Sequence, residues 1–251
     1  LFRSVVGVTS GPDNGFYRDG RVRTDLGQIE SITGHSWARP VTPALEMRWV
    51  AQDLVTTVAS GQAVTSWSRQ GGTDAWSTAN GGIGVTTLTH SATPNGKAAI
   101  EFAGASRLGL ASSSNPVANE TSFTVAMVVR ADLAGAGAQG QWHQHTGILD
   151  ADETGSVNDW GLAIESTGKL GFGIGKKDST TFSNALADQQ WHVIVAKWDG
   201  ADVSEDAVGL DRNVSLFVDQ VSQVSRVQGA EFLNVARLGS SLTLGGSRLT
   251  S

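Results

Sequence analysis

The stretch from Gln189 to Gly200, QQWHVIVAKWDG, and the shorter run from Val214 to Asp219, VSLFVD, decide the fold class of this chain. β-Branched and aromatic residues crowd both runs, which is typical of strands. The connection between the two runs carries Gly, Asp and Glu, as turns and loops do. We therefore predict two adjacent strands of an all-β domain, joined by an acidic loop.

The composition of the whole chain agrees with this prediction. Its 251 residues include 31 Gly and only 17% charged residues, which suits short strands joined by many turns. One large β domain can account for this length, so two domains are not required. The absence of Cys excludes disulfides, thiolate metal sites and Cys nucleophiles, so stability must come from the core.

Charge and hydropathy disfavour two classes of partner. The formal net charge is -6 and the pI is near 5.3, and no run of Lys and Arg supplies a local exception. A surface of this charge repels phosphates, so we expect no nucleic-acid partner. No apolar stretch approaches the roughly 20 residues that span a bilayer, so we expect no membrane insertion.

Residues 1–43 are predicted to form a β-rich arm followed by a proline linker. The arm contains the strand-like run from Leu1 to Val8 and a turn at residues 11–15, and Pro40 and Pro43 favour an extended connector. The arm is too small to hold much core alone. We expect it to pack on the main domain, on a neighbouring subunit or on a preceding domain. The main domain is predicted to span residues 44–251.

Period-two alternation marks one strand of the main domain clearly. Phe123, Val125, Met127 and Val129 alternate with less apolar residues, which predicts a strand with one core face. A hairpin is predicted further along, with strands at 160–165 and 170–175 and a turn at 166–169.

Every second residue of the strand at 170–175 is Gly, and this spacing has two explanations. Gly171, Gly173 and Gly175 permit strong curvature of a bent sheet. Alternatively, they let a ligand or another chain approach the backbone closely.

An ordered set of motifs resembles the laminin-G-like members of the concanavalin A-like lectin/glucanase superfamily, a jelly-roll family that includes pentraxin-like domains. The resemblance covers about Ala44 to Gly246. No single motif is specific, but six of them occur in the order of the family. They are residues 45–49, 61–67, 95–104, 122–125, 190–193 and 216–219.

The resemblance implies an antiparallel jelly-roll β-sandwich, here preceded by the extended N-terminal arm. Gln220 stands where the family has Gly, so the turn there is expected to be wider or to hold its residue in another conformation. The family pattern continues past Gly246 with a strand that closes the sandwich, and this chain stops at Ser251. We therefore expect the arm or a neighbouring chain to cover the open edge, since an unpaired edge invites aggregation.

Four tryptophans divide into two groups by their sequence context. Trp191 and Trp198 lie within strand-like runs and are predicted to anchor the core. Trp76 and Trp142 lie in polar loops, where core packing explains them less readily. Exposed rings stack on sugars or on partner side chains, so Trp76 and Trp142 are candidate ligand-binding residues, with core packing as the alternative.

His143 and His145 lie two positions apart, beside Trp142. On a strand they would share a face and could contribute to a ligand or transition-metal site. The alternative is a pair of loop histidines hydrogen-bonded to solvent.

Oxygen ligands concentrate in the loop between two predicted strands, at Asp150, Asp152, Glu153, Asn158 and Asp159. Ca²⁺ prefers six to eight oxygen ligands, and the resemblance implies that loops at one rim could hold it. We take Asp150, Asp152, Asn158 and Asp159 as the candidate metal ligands. The alternative is a solvated acidic turn.

The sequence contains no candidate catalytic residues. The glucanases of this superfamily carry a catalytic carboxylate pair in an E-x-D-x-x-E arrangement, which does not occur here, and no Ser, His and Asp set stands out. We predict a non-catalytic recognition or adhesion module that binds glycan or protein, located outside the cell, on a cell surface or on a virion. It is expected to be a homo-oligomer or part of a larger assembly. The rival prediction is a structural component of a virion or extracellular appendage, and a glycan-active enzyme ranks third.

Overall fold

The structure is a computed structural model, and it describes residues 2–3, 8–10, 47–104, 106–120, 122–131, 142, 145–153, 159–174, 177–199, 214–223, 226–228 and 240–246. Strands dominate this part of the chain, and its helices are three short 3-10 turns, Ala51–Leu54, Thr78–Asn80 and Ser112–Ser114. None of these helices is long or apolar enough to cross a membrane. The strands in chain order are β1 (Phe2–Arg3), β2 (Val8–Ser10), β3 (Ser66–Ser68), β4 (Ala75–Ser77), β5 (Thr86–Thr89), β6 (Ala99–Phe102), β7 (Leu108–Leu110), β8 (Ser122–Ala131), β9 (Thr146–Asp150), β10 (Trp160–Ile164), β11 (Lys169–Ile174), β12 (Lys177–Ala185), β13 (Trp191–Asp199), β14 (Val214–Val218), β15 (Val221–Gln223), β16 (Arg226–Gln228) and β17 (Leu242–Leu244).

The described strands form two antiparallel sheets. Sheet A has the order β15-β14-β13-β8-β1-β6-β5, with β2 also paired to β8, and sheet B has the order β16-β12-β11-β10-β9-β17-β7-β4-β3. The fold class predicted from the sequence, an all-β antiparallel jelly-roll sandwich, is therefore confirmed.

The core lies between the two sheets and is rich in aromatic rings. Phe123 of β8 packs against Trp160 of β10 with ring centroids 4.6 Å apart, against Trp198 of β13 at 5.9 Å and against Phe172 of β11 at 6.2 Å. All four side chains are buried. Full burial of one such side chain contributes about 2 to 3 kcal/mol, so these rings fix the sheets face to face.

The central strands of sheet A are buried on both faces, but the core face of β8 is the predicted one, with Phe123, Val125, Met127 and Val129. Met127 and Ile194 face the core, but Val128 and Val193, which point the other way and pair with each other, are also buried. The alternation in the sequence therefore identified the core face of β8, although it did not show that the opposite face is also covered. Trp198 is a core residue as predicted. Trp191 is not, because it lies at the start of β13 and is only half-buried.

Two strands from the N-terminal segment lie inside sheet A. Phe2 pairs with both Phe102 of β6 and Ala131 of β8, and Val8 pairs with Val125 of β8. Residues of the predicted arm thus hydrogen-bond to strands of the main sandwich. The boundary at residue 43 stays a prediction, and the proline linker lies outside the described residues.

A two-residue turn joins β14 to β15. Val218 pairs with Val221, and the two residues between them have positive φ angles, 50° at Asp219 and 69° at Gln220. This is the geometry of a tight hairpin turn whose twist matches the strands. Gln220 therefore takes the left-handed conformation that glycine would take, and the alternative of a wider turn is wrong.

Gln220→Gly is expected to stabilise the protein by about 1 kcal/mol, because a left-handed conformation costs an L-residue about that much and costs glycine little. A higher urea concentration at the midpoint of unfolding, with an unchanged dependence of the unfolding free energy on urea, would show this gain in stability. Gln190→Gly is the control, since Gln190 is not among the residues with positive φ and should gain nothing. A destabilised Gln220→Gly would contradict the turn assignment.

Candidate functional site

The candidate site lies where β9 ends and β10 begins, at one end of two central strands of sheet B. Asp150 is the last residue of β9 and pairs with Gly161 of β10 and with Thr243 of β17. Asp159 immediately precedes β10. Because β9 and β10 are antiparallel, β10 begins at the same end of the sheet at which β9 stops, and Asp159 lies beside Asp152. We call Asp150, Asp152, Glu153 and Asp159 the acidic rim. Asn158, a predicted ligand, lies outside the described residues.

Three carboxylates of the acidic rim are buried, and two of them accept hydrogen bonds from the backbone of the loop. The exposed fractions are 3% for Asp150, 6% for Asp152 and 5% for Asp159. The backbone N–H of Asp152 donates to Oδ1 of Asp150 at 2.7 Å, and that of Glu153 donates to Oδ2 of Asp159 at 3.3 Å. The alternative of a solvated acidic turn is therefore wrong, because three of its carboxylates are removed from water.

Burial and a neighbouring carboxylate raise the pKa of Asp159 to about 6. Burial is the larger cause, since it disfavours the charged form. A hydrogen bond shared with the Asp152 carboxyl and the repulsion between the two charges raise it further, against the backbone N–H of Glu153, which lowers it. A proton or a cation at this point would relieve the repulsion.

The donor set of the acidic rim consists of oxygen atoms, which fits Ca²⁺ and does not fit a soft metal. Within the described residues, no group of three or more His, Cys, Asp and Glu side chains is arranged to hold a metal ion. The acidic rim supplies the adjacent pair Asp152 and Asp159, with Asp150 holding the backbone of Asp152.

Metal-free protein is expected to become less stable as the pH rises from 3.8 to about 6, between the ordinary and the raised pKa of Asp159. The folded state binds this proton more tightly than the unfolded state, so the contribution is present at acidic pH and lost on deprotonation. Asp159→Asn removes the charge, and we expect it to raise the unfolding free energy at neutral pH by about 1 to 2 kcal/mol. Urea unfolding across this pH range, with a chelator present, measures the effect.

Asp74→Asn is the control, for which we expect the opposite change in the unfolding free energy. Ser114 Oγ donates to Oδ1 of Asp74 at 2.7 Å and Arg69 Nε donates to Oδ2 at 2.6 Å. The hydrogen bond from Ser114 is the main reason that the pKa of Asp74 is lowered, and Arg69 lowers it further against the opposing effect of burial. Asp74→Asn should therefore destabilise at neutral pH. Stabilisation by both substitutions would contradict the account of Asp159.

Trp76 and Trp142 are not the exposed platforms that the sequence suggested. Trp76 is 0% exposed and packs edge-on against Trp49, with ring centroids 5.7 Å apart. Trp142 is 2% exposed. A buried ring offers no face to a sugar, so the prediction that these rings are exposed is wrong. Trp76 looked like a loop residue because β4 is only three residues long.

Trp142 explains part of the glycine spacing. A Cβ added at Gly161 of β10 or at Gly173 of β11 would overlap the indole of Trp142, whereas one at Gly171 would meet only the Ala163 carbonyl, at 3.8 Å. Gly161 and Gly173 are opposite each other in the sheet. The backbone at Gly173 is thus approached closely, but by a side chain of the same chain and not by the ligand or second chain that the sequence suggested.

The structure describes only one of the two candidate histidines. His145 is buried just before β9, and its backbone N–H donates to the carbonyl of Trp142 at 3.2 Å. The alternative of a solvent-bonded loop histidine is therefore wrong for His145. His143 lies outside the described residues, and its ligand role stays a prediction.

A second cluster of polar side chains, around His192, was not recognised from the sequence. His192 of β13 contacts two carboxylates, Asp219 at 2.7 Å from its Nδ1 and Asp188 at 2.9 Å from its Nε2. The signal was present, because His192 and Asp219 belong to two of the motifs that carry the family resemblance. Motif spacing alone did not show that the two residues meet.

Comparison with known proteins matches part of the chain to one family. Residues 164–251, from the end of β10 through β17, match the family model described as Laminin G domain. Among solved structures, the chain is similar to the mouse laminin alpha1 chain, domains LG4-5, with 17% sequence identity and a TM-score of 0.39, over 57% of this chain and 32% of that chain. This chain thus spans about a third of that laminin chain. No curated protein matches it.

Residues 164–251 thus resemble a laminin G domain, and the antiparallel β-sandwich is the fold that the resemblance predicted. Laminin G domains are commonly binding or adhesion modules, and they are typically extracellular.

Proposed function

We propose that this protein is a non-catalytic recognition module that binds a glycan or a protein at a surface outside the cell, with the acidic rim as its contact site. The observation that carries the proposal is the burial of Asp150, Asp152 and Asp159 together at one end of a laminin-G-like sandwich. Burying carboxylates is unfavourable unless their charge is compensated, so such a cluster marks a candidate functional site.

We further propose that the acidic rim holds Ca²⁺. Asp152 and Asp159 would bind the ion, and the charge of the ion would remove the repulsion that raises the pKa of Asp159. Asn158 is a further candidate ligand. Ca²⁺ accepts six to eight oxygens, so ligand hydroxyl or carboxylate groups can complete its shell. The bound ion would supply affinity for oxygen-rich ligands, which include sugars and acidic peptides.

The position of the carboxylates favours binding over catalysis. Glycosidases need two carboxyl groups about 5 Å or more apart, so that the scissile bond lies between them. Asp152 and Asp159 share a hydrogen bond, which leaves no room for a sugar between them.

Binding to a glycan array, measured with calcium and again with a chelator, tests this function. Capture of cell-surface proteins under the same two conditions tests it for protein ligands. We expect calcium-dependent binding that Asp152→Asn and Asp159→Asn abolish. Asp53→Asn is the matched control, because it removes the same charge from an exposed residue whose carboxylate accepts a hydrogen bond from Gln70. Absence of any binding by an obligate multimer would overturn the proposal and favour the role of an assembly unit.

A further inference from the structure

His192 lies at the start of β13, where two turns from different parts of the chain meet. Its Nδ1 is 2.7 Å from Oδ2 of Asp219, which follows β14. Its Nε2 is 2.9 Å from Oδ1 of Asp188, which precedes β13. The imidazole is only 12% exposed, whereas the side chains of Asp188 and Asp219 are 42% and 36% exposed, so the ring is largely shielded from water and its two partners are reached by solvent.

The two contacts require a charged ring. A neutral imidazole has one N–H and can donate to only one of the two carboxylates, whereas the imidazolium donates from both nitrogens. Burial by itself lowers the pKa of His192, but the hydrogen bonds to Asp219 and Asp188 and the charges of these groups outweigh burial and raise it above 6.5. For Asp188, the hydrogen bonds from His192 and from the backbone N–H of Gln190 outweigh burial and lower the pKa.

The turns that His192 joins contain unfavourable backbone conformations. Gln189 has a φ of 67°, Asp219 of 50° and Gln220 of 69°, all in the left-handed region that L-residues rarely adopt. The two carboxylates also hold these turns directly. The backbone N–H of Val193 donates to Oδ1 of Asp219 and that of Gln190 to Oδ1 of Asp188, both at 2.8 Å. Such strain persists only while the surrounding contacts maintain it.

We propose that His192 is a pH-operated latch, which holds the turns at residues 188–190 and 219–220 closed when it is charged and releases them when it is neutral. The charged His192 stabilises the folded protein fully below pH 6.5, the ordinary pKa of histidine. This stabilisation is lost as the pH rises through the raised pKa of His192 in the folded state. Release frees one carboxylate from its donor, and the left-handed residues beside it can then relax.

The other elements packed around His192 add no charged group that reverses the direction of its pKa shift. The β8 residue opposite His192 is the uncharged Val129, and Arg130 pairs instead with Trp191. The β10–β11 turn, whose Gly168 carbonyl receives the N–H of Leu186, carries Glu165 and Lys169, two charges of opposite sign. Among the described residues, Asp188 and Asp219 are the charged groups that act on His192.

Nuclear magnetic resonance of the ring nitrogens and of the backbone amides tests the latch. We expect both ring nitrogens of His192 to carry protons at pH 6.5 and the ring to titrate above that pH. Amide exchange at Gln190, Val193 and Asp219, corrected for intrinsic rates, should accelerate about tenfold or more at mildly alkaline pH, as one charge-assisted bond is lost. Exchange at Leu88, in distant β5, should not change.

Two variants separate the latch from general loss of stability. In His192→Gln, exchange at the three amides should be fast and independent of pH, whereas His90→Gln should behave as the unmodified protein, since His90 Nε2 contacts only the Val58 carbonyl, at 3.0 Å. Asp188→Asn keeps an acceptor for Gln190, and it should lower the pKa of His192 and flatten the pH profile. A His192 ring that titrates at or below 6.5, or exchange that ignores pH in the unmodified protein, would overturn the proposal.

Discussion

Gly173→Ala is expected to lower the unfolding free energy by about 2 to 3 kcal/mol, because a methyl group at this position overlaps the indole of Trp142 and overpacks a buried site. Gly171→Ala, two residues earlier on the same strand, should be nearly neutral, since its methyl group meets only the Ala163 carbonyl at an ordinary contact distance of 3.8 Å. The difference between the two urea midpoints measures the cost of the overlap.

A double-mutant cycle assigns the effect to the ring. Trp142→Ala alone should cost about 3 to 5 kcal/mol for the loss of a buried aromatic side chain. Once the ring is gone, Gly173→Ala has nothing to overlap, so the double variant should be about as stable as Trp142→Ala. Additive effects of the two substitutions would show that Trp142 does not lie over Gly173.

Removal of residues 1–10 is expected to cost more than about 3 kcal/mol and to cause aggregation, because it takes β1 and β2 out of the interior of sheet A. Phe2 pairs with strands on both of its sides, so its loss leaves β6 and β8 with unpaired backbone groups. Size-exclusion chromatography and thermal unfolding of the shortened chain give the result.

A synthetic peptide of residues 1–10 provides the matched control for this deletion. Added in trans, it should pair with the exposed edges and restore a soluble folded protein, as extended peptides do at open sheet edges. A shortened chain that is a soluble monomer with an unchanged melting temperature would contradict the pairing of β1 and β2.

Local pattern and motif order were enough to predict the sandwich. The alternation of Phe123, Val125, Met127 and Val129 identified β8, and the turn at residues 166–169 joined β10 to β11. These features depend on residues close together in sequence, which a single chain displays directly. Gln220 was also predictable, because a two-residue hairpin turn demands a left-handed conformation at that position whatever residue stands there.

The candidate site was only partly accessible to sequence reasoning. The acidic rim was predicted because its carboxylates are close in sequence, but its burial depends on how the loop returns to β10. Trp142 is 31 residues from Gly173, and polar neighbours made it look exposed although it covers the glycines of another strand. His192 and Asp219 are 27 residues apart and meet only because β13 and β14 pair.

Calorimetric titration of calcium into metal-free protein at neutral pH tests most directly the central claim, that the acidic rim is the functional site of this laminin-G-like domain. We predict binding at one site, which Asp152→Asn and Asp159→Asn abolish and Asp53→Asn preserves, with a matching rise in melting temperature by mass action. Absence of binding heat and an unchanged melting curve in millimolar calcium would contradict the claim. Equal binding by Asp159→Asn and the unmodified protein would contradict it as well.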